Sequence, residues 1–281
     1  MTADIALEKK PRKTRRRAAA PVPPVREPAG EGAFPEQNSQ GARLLAILEA
    51  IAREEEPVAS ADLSQHMDMS RATVHRLCVL LERLGFLERA PGSKRFVIGH
   101  RQEQLAIDSL IHSSHRGARH AALQALAAEV GETVNVTVLH GNEVVYIDRV
   151  ECQWPLRHHL QTGSRVPIHC GASGKLFLSM MPAARRRRLL SAPLLQYTEK
   201  SIVDLSELES HLKRIRATRV SIDDEEFMQG LIGLAVPIYD SRKRICATVS
   251  LHAPTARLTA DGALDYAPAL QRTAEVIAGL I

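Results

Sequence analysis

Long apolar runs are what this 281-residue sequence most plainly lacks. No stretch approaches the roughly 18 consecutive apolar residues of a membrane-spanning helix, so no membrane partner is expected. Aromatic residues make up 4% of the chain and tryptophan occurs once, which leaves little material for an aromatic cage or a base-stacking platform. The four cysteines, Cys78, Cys152, Cys170 and Cys246, contain no C-x-x-C pair. That argues against a zinc knuckle and against a secreted disulfide framework. The basic N-terminus is not followed by the apolar segment of a signal peptide, so a cytoplasmic protein is expected. What is present is a 44% apolar fraction, enough for a sizeable core, and a formal charge of +5 concentrated towards the N-terminus.

The chain divides by texture. Residues 1–38 hold a basic run from Lys9 to Arg17 and a stretch rich in alanine and proline. Such a segment buries too little apolar area to offset its chain entropy and reads as a disordered tail, either passive or contacting phosphate. Residues 39–100 read as three helices and a hairpin. Asn38 and Ser39 offer a cap, and Leu44, Leu45, Ile47, Leu48, Ile51 and Ala52 share one helix face. Ser60 is expected to cap a second helix, with Leu63 and Met67 inward. Ser70 is expected to cap a third, which Gly85 stops. Strands over 87–90 and 95–98 flank the turn-forming Pro91-Gly92-Ser93-Lys94. Residues 101–129 read as a linker helix. Residues 130–281 mix strands at 134–138, 144–150, 231–239 and 245–252 with helices at 174–181, 206–217 and 264–280. The fold class is therefore α+β: a winged helix-turn-helix, a linker helix and a second domain.

Helix-turn-helix followed by a β-hairpin is a unit that places its third helix in the major groove of duplex DNA. At 100° per residue, Val74, Leu77, Cys78 and Leu81 face inward, while Ala72, His75, Arg76, Val79 and Arg83 face outward with Arg71 at the rim. Arginine can bind guanine bidentately and small apolar groups can meet a thymine methyl. Arg71, Thr73, His75 and Arg76 are thus candidate DNA contacts, joined by Lys94 and Arg95 in the hairpin.

These residues also resemble the IclR family of regulators. The likeness is carried by Gly41-Ala-Arg-Leu-Leu-Ala-Ile-Leu-Glu-Ala-Ile-Ala52, Met69-Ser-Arg-Ala-Thr-Val-His-Arg-Leu77, Leu84-Gly-Phe-Leu-Glu-Arg89 and Arg95-Phe-Val-Ile-Gly99. It continues through Val130-Gly-Glu-Thr-Val-Asn135, Val144-Val-Tyr-Ile-Asp-Arg-Val150, Gly163-Ser-Arg-Val-Pro-Ile-His169, Ala172-Ser-Gly-Lys175 and Asp223-Asp-Glu-Glu226. The resemblance implies a GAF-like effector-binding domain, a homodimer or homotetramer, operator DNA as partner and a small organic acid as effector. It implies neither a cofactor nor a metal nor a catalytic residue. It further implies that the effector carboxylate is held by Gly171, Ala172, Asp223, Gly233, Ser250 and His252. The sequence departs from the family at two of these positions: Gly233 stands where a cysteine is common and His252 where a serine is. The expectation is that the glycine enlarges the pocket and the histidine adds a larger donor.

Competing readings attach to the same residues. His169-Cys-Gly-Ala-Ser-Gly-Lys175 invites comparison with a phosphate-binding loop, but only two residues separate its glycines and Leu176 occupies the magnesium-binding position. What survives is a glycine-rich turn entering a helix N-terminus, which favours an anion or merely needs small residues for packing. Ser250 or Cys170 as the nucleophile of a hydrolase recruited to DNA is the alternative function, although no sharp glycine turn surrounds Ser250. Trp154 is a candidate cavity wall or a packing residue. His112, His115 and His120 read as a solvated helix rather than a metal cluster, and Arg185–Arg188 as a solvated helix face.

Overall fold

The computed structural model describes residues 39–280, apart from 55, 114–115 and 156–159. The basic tail and His115 therefore lie outside the described residues. Helix α1 (Gln40–Ala52) begins at Ser39, whose hydroxyl accepts from the Ala42 amide, and buries Ile47 and Ile51. Helix α2 (Ser60–His66) buries Leu63, but its N-cap is Ala59 and not the expected Ser60, whose hydroxyl faces the His75 ring instead. Helix α3 (Arg71–Arg83) starts at Ser70, which accepts from the Thr73 amide. The chain leaves α3 through Gly85 at φ +78°, a left-handed conformation in which a Cβ is strained. Strands β1 (Leu87–Arg89) and β2 (Phe96–Ile98) form the antiparallel wing. Val74, Leu77, Cys78 and Leu81, the inward face of α3, close a core with Ile47, Ile51, Leu63, Leu87 and Phe96.

The helical pattern expected over 101–129 is two helices, α4 (His100–Ile111) and α5 (Arg116–Val130). The polar His112-Ser113 stretch follows the first, and the two helices pack differently. Helix α4 touches both the wing and the large sheet, whereas α5 buries Leu123, Leu126 and Val130 beneath that sheet.

The sheet itself is antiparallel with six strands in the order β5-β4-β3-β8-β7-β6. They are β3 (Thr133–His140), β4 (Glu143–Val150), β5 (Arg165–Pro167), β6 (Ser221–Asp224), β7 (Leu231–Tyr239) and β8 (Ile245–Pro254). Helices α6 (Ala172–Met180), α7 (Ala183–Leu189) and α8 (Leu205–Thr218) lie between β5 and β6 in sequence. The C-terminal helical pattern resolves into α9 (Ala260–Ala263), a short 3-10 turn and α10 (Ala267–Ala278). Among the described residues no helix is long and apolar enough to cross a membrane.

Side chains alternate across a strand, so each strand offers two faces. Val134, Val136 and Val138, with Ile232, Leu234, Val236, Ile238, Val249, Leu251 and Ala253, pack on α5 and α10 in the main core. The opposite face carries Thr133, Asn135 and Thr137, then Thr248, Ser250 and His252. It is covered by α6, which packs on α8 and against β6, β7 and β8. Polar residues that alternate with valine in β3 are thus buried on both sides of the sheet and do not face water. One further contact ties the layers together. The fully buried Arg119 of α5 donates to Asp148 of β4 at 3.0 Å and to the Leu110 carbonyl at the end of α4.

Candidate DNA-binding and effector-binding sites

Six candidate DNA contacts fall around one groove, but the structure sorts them into three kinds. Arg71, Arg76 and Lys94 are exposed and make no hydrogen bond or ion pair to any described residue. His75 is exposed on the same helix face, with Ser60 3.5 Å from its Nδ1. Thr73 is half-buried and its hydroxyl lies 3.0 Å from Ser70, so it serves the helix cap. Arg95 donates to the Pro57 carbonyl at 3.0 Å and pairs with Asp62 at 3.5 Å, so it braces the wing against the loop before α2. Arg71, His75, Lys94 and Arg95 line the groove between α3 and the wing together with Ser60, Ser93 and Arg89. Arg89, whose role the sequence did not suggest, clamps the wing: it bonds both Glu82 oxygens and lies 4.6 Å over the Phe96 ring.

In the second site, strand pairing lays the candidate residues out in rows. One row runs Thr133, His252, Gly233, Asp223 across β3, β8, β7 and β6. The next runs Arg149, Asn135, Ser250, Ala235, Ser221 from β4 to β6. Asp223, Ser250 and His252 therefore share one face, as the resemblance implied. The Ser250 hydroxyl is buried without a hydrogen-bond partner, as is one oxygen of Glu226. A buried polar atom left unpaired is costly, and a ligand is one of the few things that satisfies it.

Helix α6 begins over this face. Gly171 is its N-cap and no side chain caps it, so its first-turn amides keep their donor capacity. A Cβ at Gly171 would meet only the Pro167 carbonyl, at 3.9 Å, whereas one at Gly174 would overlap the Ile168 carbonyl. Close packing thus explains Gly174 and not Gly171. Ser173 accepts from Thr248, which in turn bonds Thr137 at 2.6 Å, fixing α6 to the sheet.

Electrostatics here are dominated by burial. Asp223 accepts from the Glu226 and Phe227 amides, yet burial pushes its carboxyl up to about 7 against the opposing pull of Lys175. Glu226 is likewise raised by burial, although Lys175, itself buried, donates to it. The Cys170 thiol is pushed up to about 12, first by burial and then by the neighbouring Asp223 and Glu226. A thiol so raised is not a nucleophile at neutral pH. Ser250 bonds no base, and the Nδ1 of His252 is engaged by Asn135 at 2.9 Å. Neither residue forms the activated set that the hydrolase alternative requires.

Two expectations are corrected. Gly233 does not enlarge the site: a Cβ there would stand 3.2 Å from both the Asp223 Cβ and the His252 ring. The imidazole fills the space that the glycine vacates. Trp154 does not stand with this cluster. It is 53% exposed, lies over the Arg257 guanidinium at 5.6 Å, and lines a groove with Gln124, Ala127 and Ala128 of α5. Among the described residues no three potential metal ligands come together, and His120 bonds Asp148 at 2.9 Å. Of the arginine run, Arg186 is tied to Glu209 while the others remain exposed. Asn135, Arg149, Lys175 and Glu226 were missed as site residues. The signal available was that the polar positions of β3 alternate with valine inside a domain rich in apolar strands.

Residues 42–91 match the family described as the IclR helix-turn-helix domain, and residues 111–278 match that described as bacterial transcriptional regulator IclR C-terminal. The chain is 39% identical to SauR of Cupriavidus necator over 85% of its own length and 95% of that protein. It is 30% identical to the transcriptional repressor IclR of Escherichia coli K12, covering 84% of this chain and 87% of the relative. The crystal structure of Thermotoga maritima IclR superposes with a TM-score of 0.57 at 27% identity, covering 85% of this chain and 96% of that one. Both functional units and the order in which they occur are therefore accounted for by one family, and the chain belongs to the IclR family of bacterial transcriptional regulators.

Proposed function

We propose that Arg71, His75, Arg76 and Lys94 hold and read an operator duplex, and that Ser250, His252, Asp223 and the start of α6 bind a small organic acid that sets operator affinity. In this reading Arg76 contacts a base edge from the exposed face of α3, and Lys94 on the wing meets phosphate. The protein acts in the cytoplasm as a homodimer or homotetramer, so that two α3 helices meet half-sites about one helical turn apart. The acid's carboxylate lies at the N-terminus of α6, where free amides and the helix dipole favour an anion. Ser250 and His252 donate to it. Asp223, with its carboxyl raised to about 7, carries a proton part of the time at neutral pH and so accommodates a neighbouring anion.

The observation that carries this reading is the unpaired, fully buried Ser250 hydroxyl on a polar sheet face roofed by a helix N-terminus. Calorimetry with a panel of organic acids tests it. Binding by the wild type and its loss in Ser250→Ala supports the site, whereas equal binding by both proteins, or binding of no acid, refutes it.

A further inference from the structure

Three side chains on the effector face form a chain of hydrogen bonds whose direction is fixed by chemistry. Arg149 reaches Asn135 with Nη1 2.9 Å from Oδ1, and Asn135 reaches His252 with Nδ2 2.9 Å from Nδ1. A guanidinium has donors only, so the Asn135 oxygen must face Arg149 and its amino group must face the imidazole. An amino group donates, so Nδ1 of His252 accepts with its lone pair. A neutral imidazole that accepts at Nδ1 carries its proton on Nε2. Reversing the Asn135 amide would set its amino group against the guanidinium, donor against donor. Protonating Nδ1 would set it against the amino group in the same way.

The other end of the ring points back into the site. Nε2 lies 3.3 Å from the point where a Gly233 Cβ would stand, and Asp223 borders the same point at 3.2 Å. Arg149, Asn135 and Ser250 are consecutive partners across β4, β3 and β8, so the relay and the unpaired serine hydroxyl lie in one row. The titratable and charged groups that face the imidazole are Arg149 through Asn135, Asp223 beyond Gly233, and Tyr146 with its ring centroid 6.1 Å away.

We propose that Arg149 and Asn135 are positioning residues that hold His252 as a neutral Nε2–H donor, so that the site selects a ligand head group with acceptors only. A carboxylate satisfies that requirement, and the corresponding primary amide, which must also place its own N–H groups, does not. This inference rests on the effector-site reading above and assigns the origin of its selectivity.

The test combines nitrogen NMR of the ligand-free protein with calorimetry. The imidazole signals of ¹⁵N-labelled protein are assigned by their loss in His252→Gln. The wild type should show Nδ1 unprotonated and Nε2 protonated. Arg149→Met frees the Asn135 amide to turn, and the Nδ1–H tautomer should appear; Arg149→Lys, again a donor without acceptors, should restore the first pattern. Pyruvate, succinate and benzoate are then titrated beside pyruvamide, succinamide and benzamide. The wild type should favour the best-bound acid over its amide by at least tenfold, and Arg149→Met should reduce that ratio severalfold. A protonated Nδ1 in the wild type overturns the proposal without recourse to any variant. So does a tautomer that ignores Arg149→Met, or an acid-to-amide ratio that ignores it. If the tautomer is as stated and no acid binds, the effector-site reading fails while the orientation of His252 stands, so the two failures are distinct.

Discussion

The two units of this regulator treat polar side chains in opposite ways. On α3 the cations Arg71 and Arg76 stand in solvent without partners, and the helix face beneath them is wholly apolar core. On the α6-covered side of the large sheet the polar groups are interior: Asn135, Thr137, Thr248 and Ser250 are each 0% exposed. An exposed unpaired cation costs nothing, because water solvates it until a phosphate or base displaces that water. A buried unpaired hydroxyl is costly from the moment the chain folds. The first arrangement suits a large polyanion approached from outside, and the second suits a small molecule that is enclosed. Between the units, Arg119 joins the end of α4 to β4 at Asp148, one residue before Arg149 on the ligand face.

The comparison can be broken at several points. The largest effect is expected at the buried ion pair, where Arg119→Met leaves Asp148 as an uncompensated charge and should cost about 3–5 kcal/mol of stability by denaturant titration. On the exposed side, Arg76→Ala should leave stability unchanged and weaken operator binding by about 1–3 kcal/mol, with relaxed preference at one base position. A gel-shift titration in which both proteins bind the operator equally would remove Arg76 from the reading face. Lys94→Ala should weaken all duplexes alike and reduce the slope of log K against log salt by about 0.9. In the interior, Gly233→Ala should cost about 1 kcal/mol, the low end for overpacking, because a ring edge and not backbone has to move.

The smallest effect is one of pH. The Asp223 carboxyl is raised from its ordinary value to about 7, so between about pH 4 and pH 7 the folded protein holds a proton that the unfolded chain has lost. The contribution of this group to stability is therefore fully present at low pH and falls as pH rises through about 7. Asp223→Asn should flatten that part of the stability profile. The asparagine oxygen can still accept the Glu226 and Phe227 amides, so an unchanged slope would contradict the raised carboxyl.

The DNA-binding unit was almost fully legible in the sequence because its signals are local: a serine cap, a 3.6-residue period and a glycine stop each act within a few residues. Its errors are local too, as where Ala59 and not Ser60 precedes α2. The effector face was legible only in part. Asp223, Ser250 and His252 were found on one face, but Asn135 and Arg149 were not, because strand order and register decide which strands neighbour β8. The expected role of Gly233 failed for the same reason. Whether a missing side chain leaves a void depends on the residue across the strand pair, here His252. The length and period of 101–129 suggested one helix, and only packing on two different partners divides it.

The most direct test of the central claim, that outward cations bind DNA while inward polar groups bind an acid, is a paired titration. Operator affinity is measured with and without a saturating amount of the best-bound acid for wild type, Arg76→Ala and Ser250→Ala. The account predicts that the acid shifts wild-type operator affinity, and that operator shifts acid affinity by the same factor. Ser250→Ala should retain acid-free operator binding and lose the shift, while Arg76→Ala should lose operator affinity and keep its affinity for the acid. A Ser250→Ala protein that still responds to the acid, or an Arg76→Ala protein that no longer binds it, would contradict the assignment of the two surfaces.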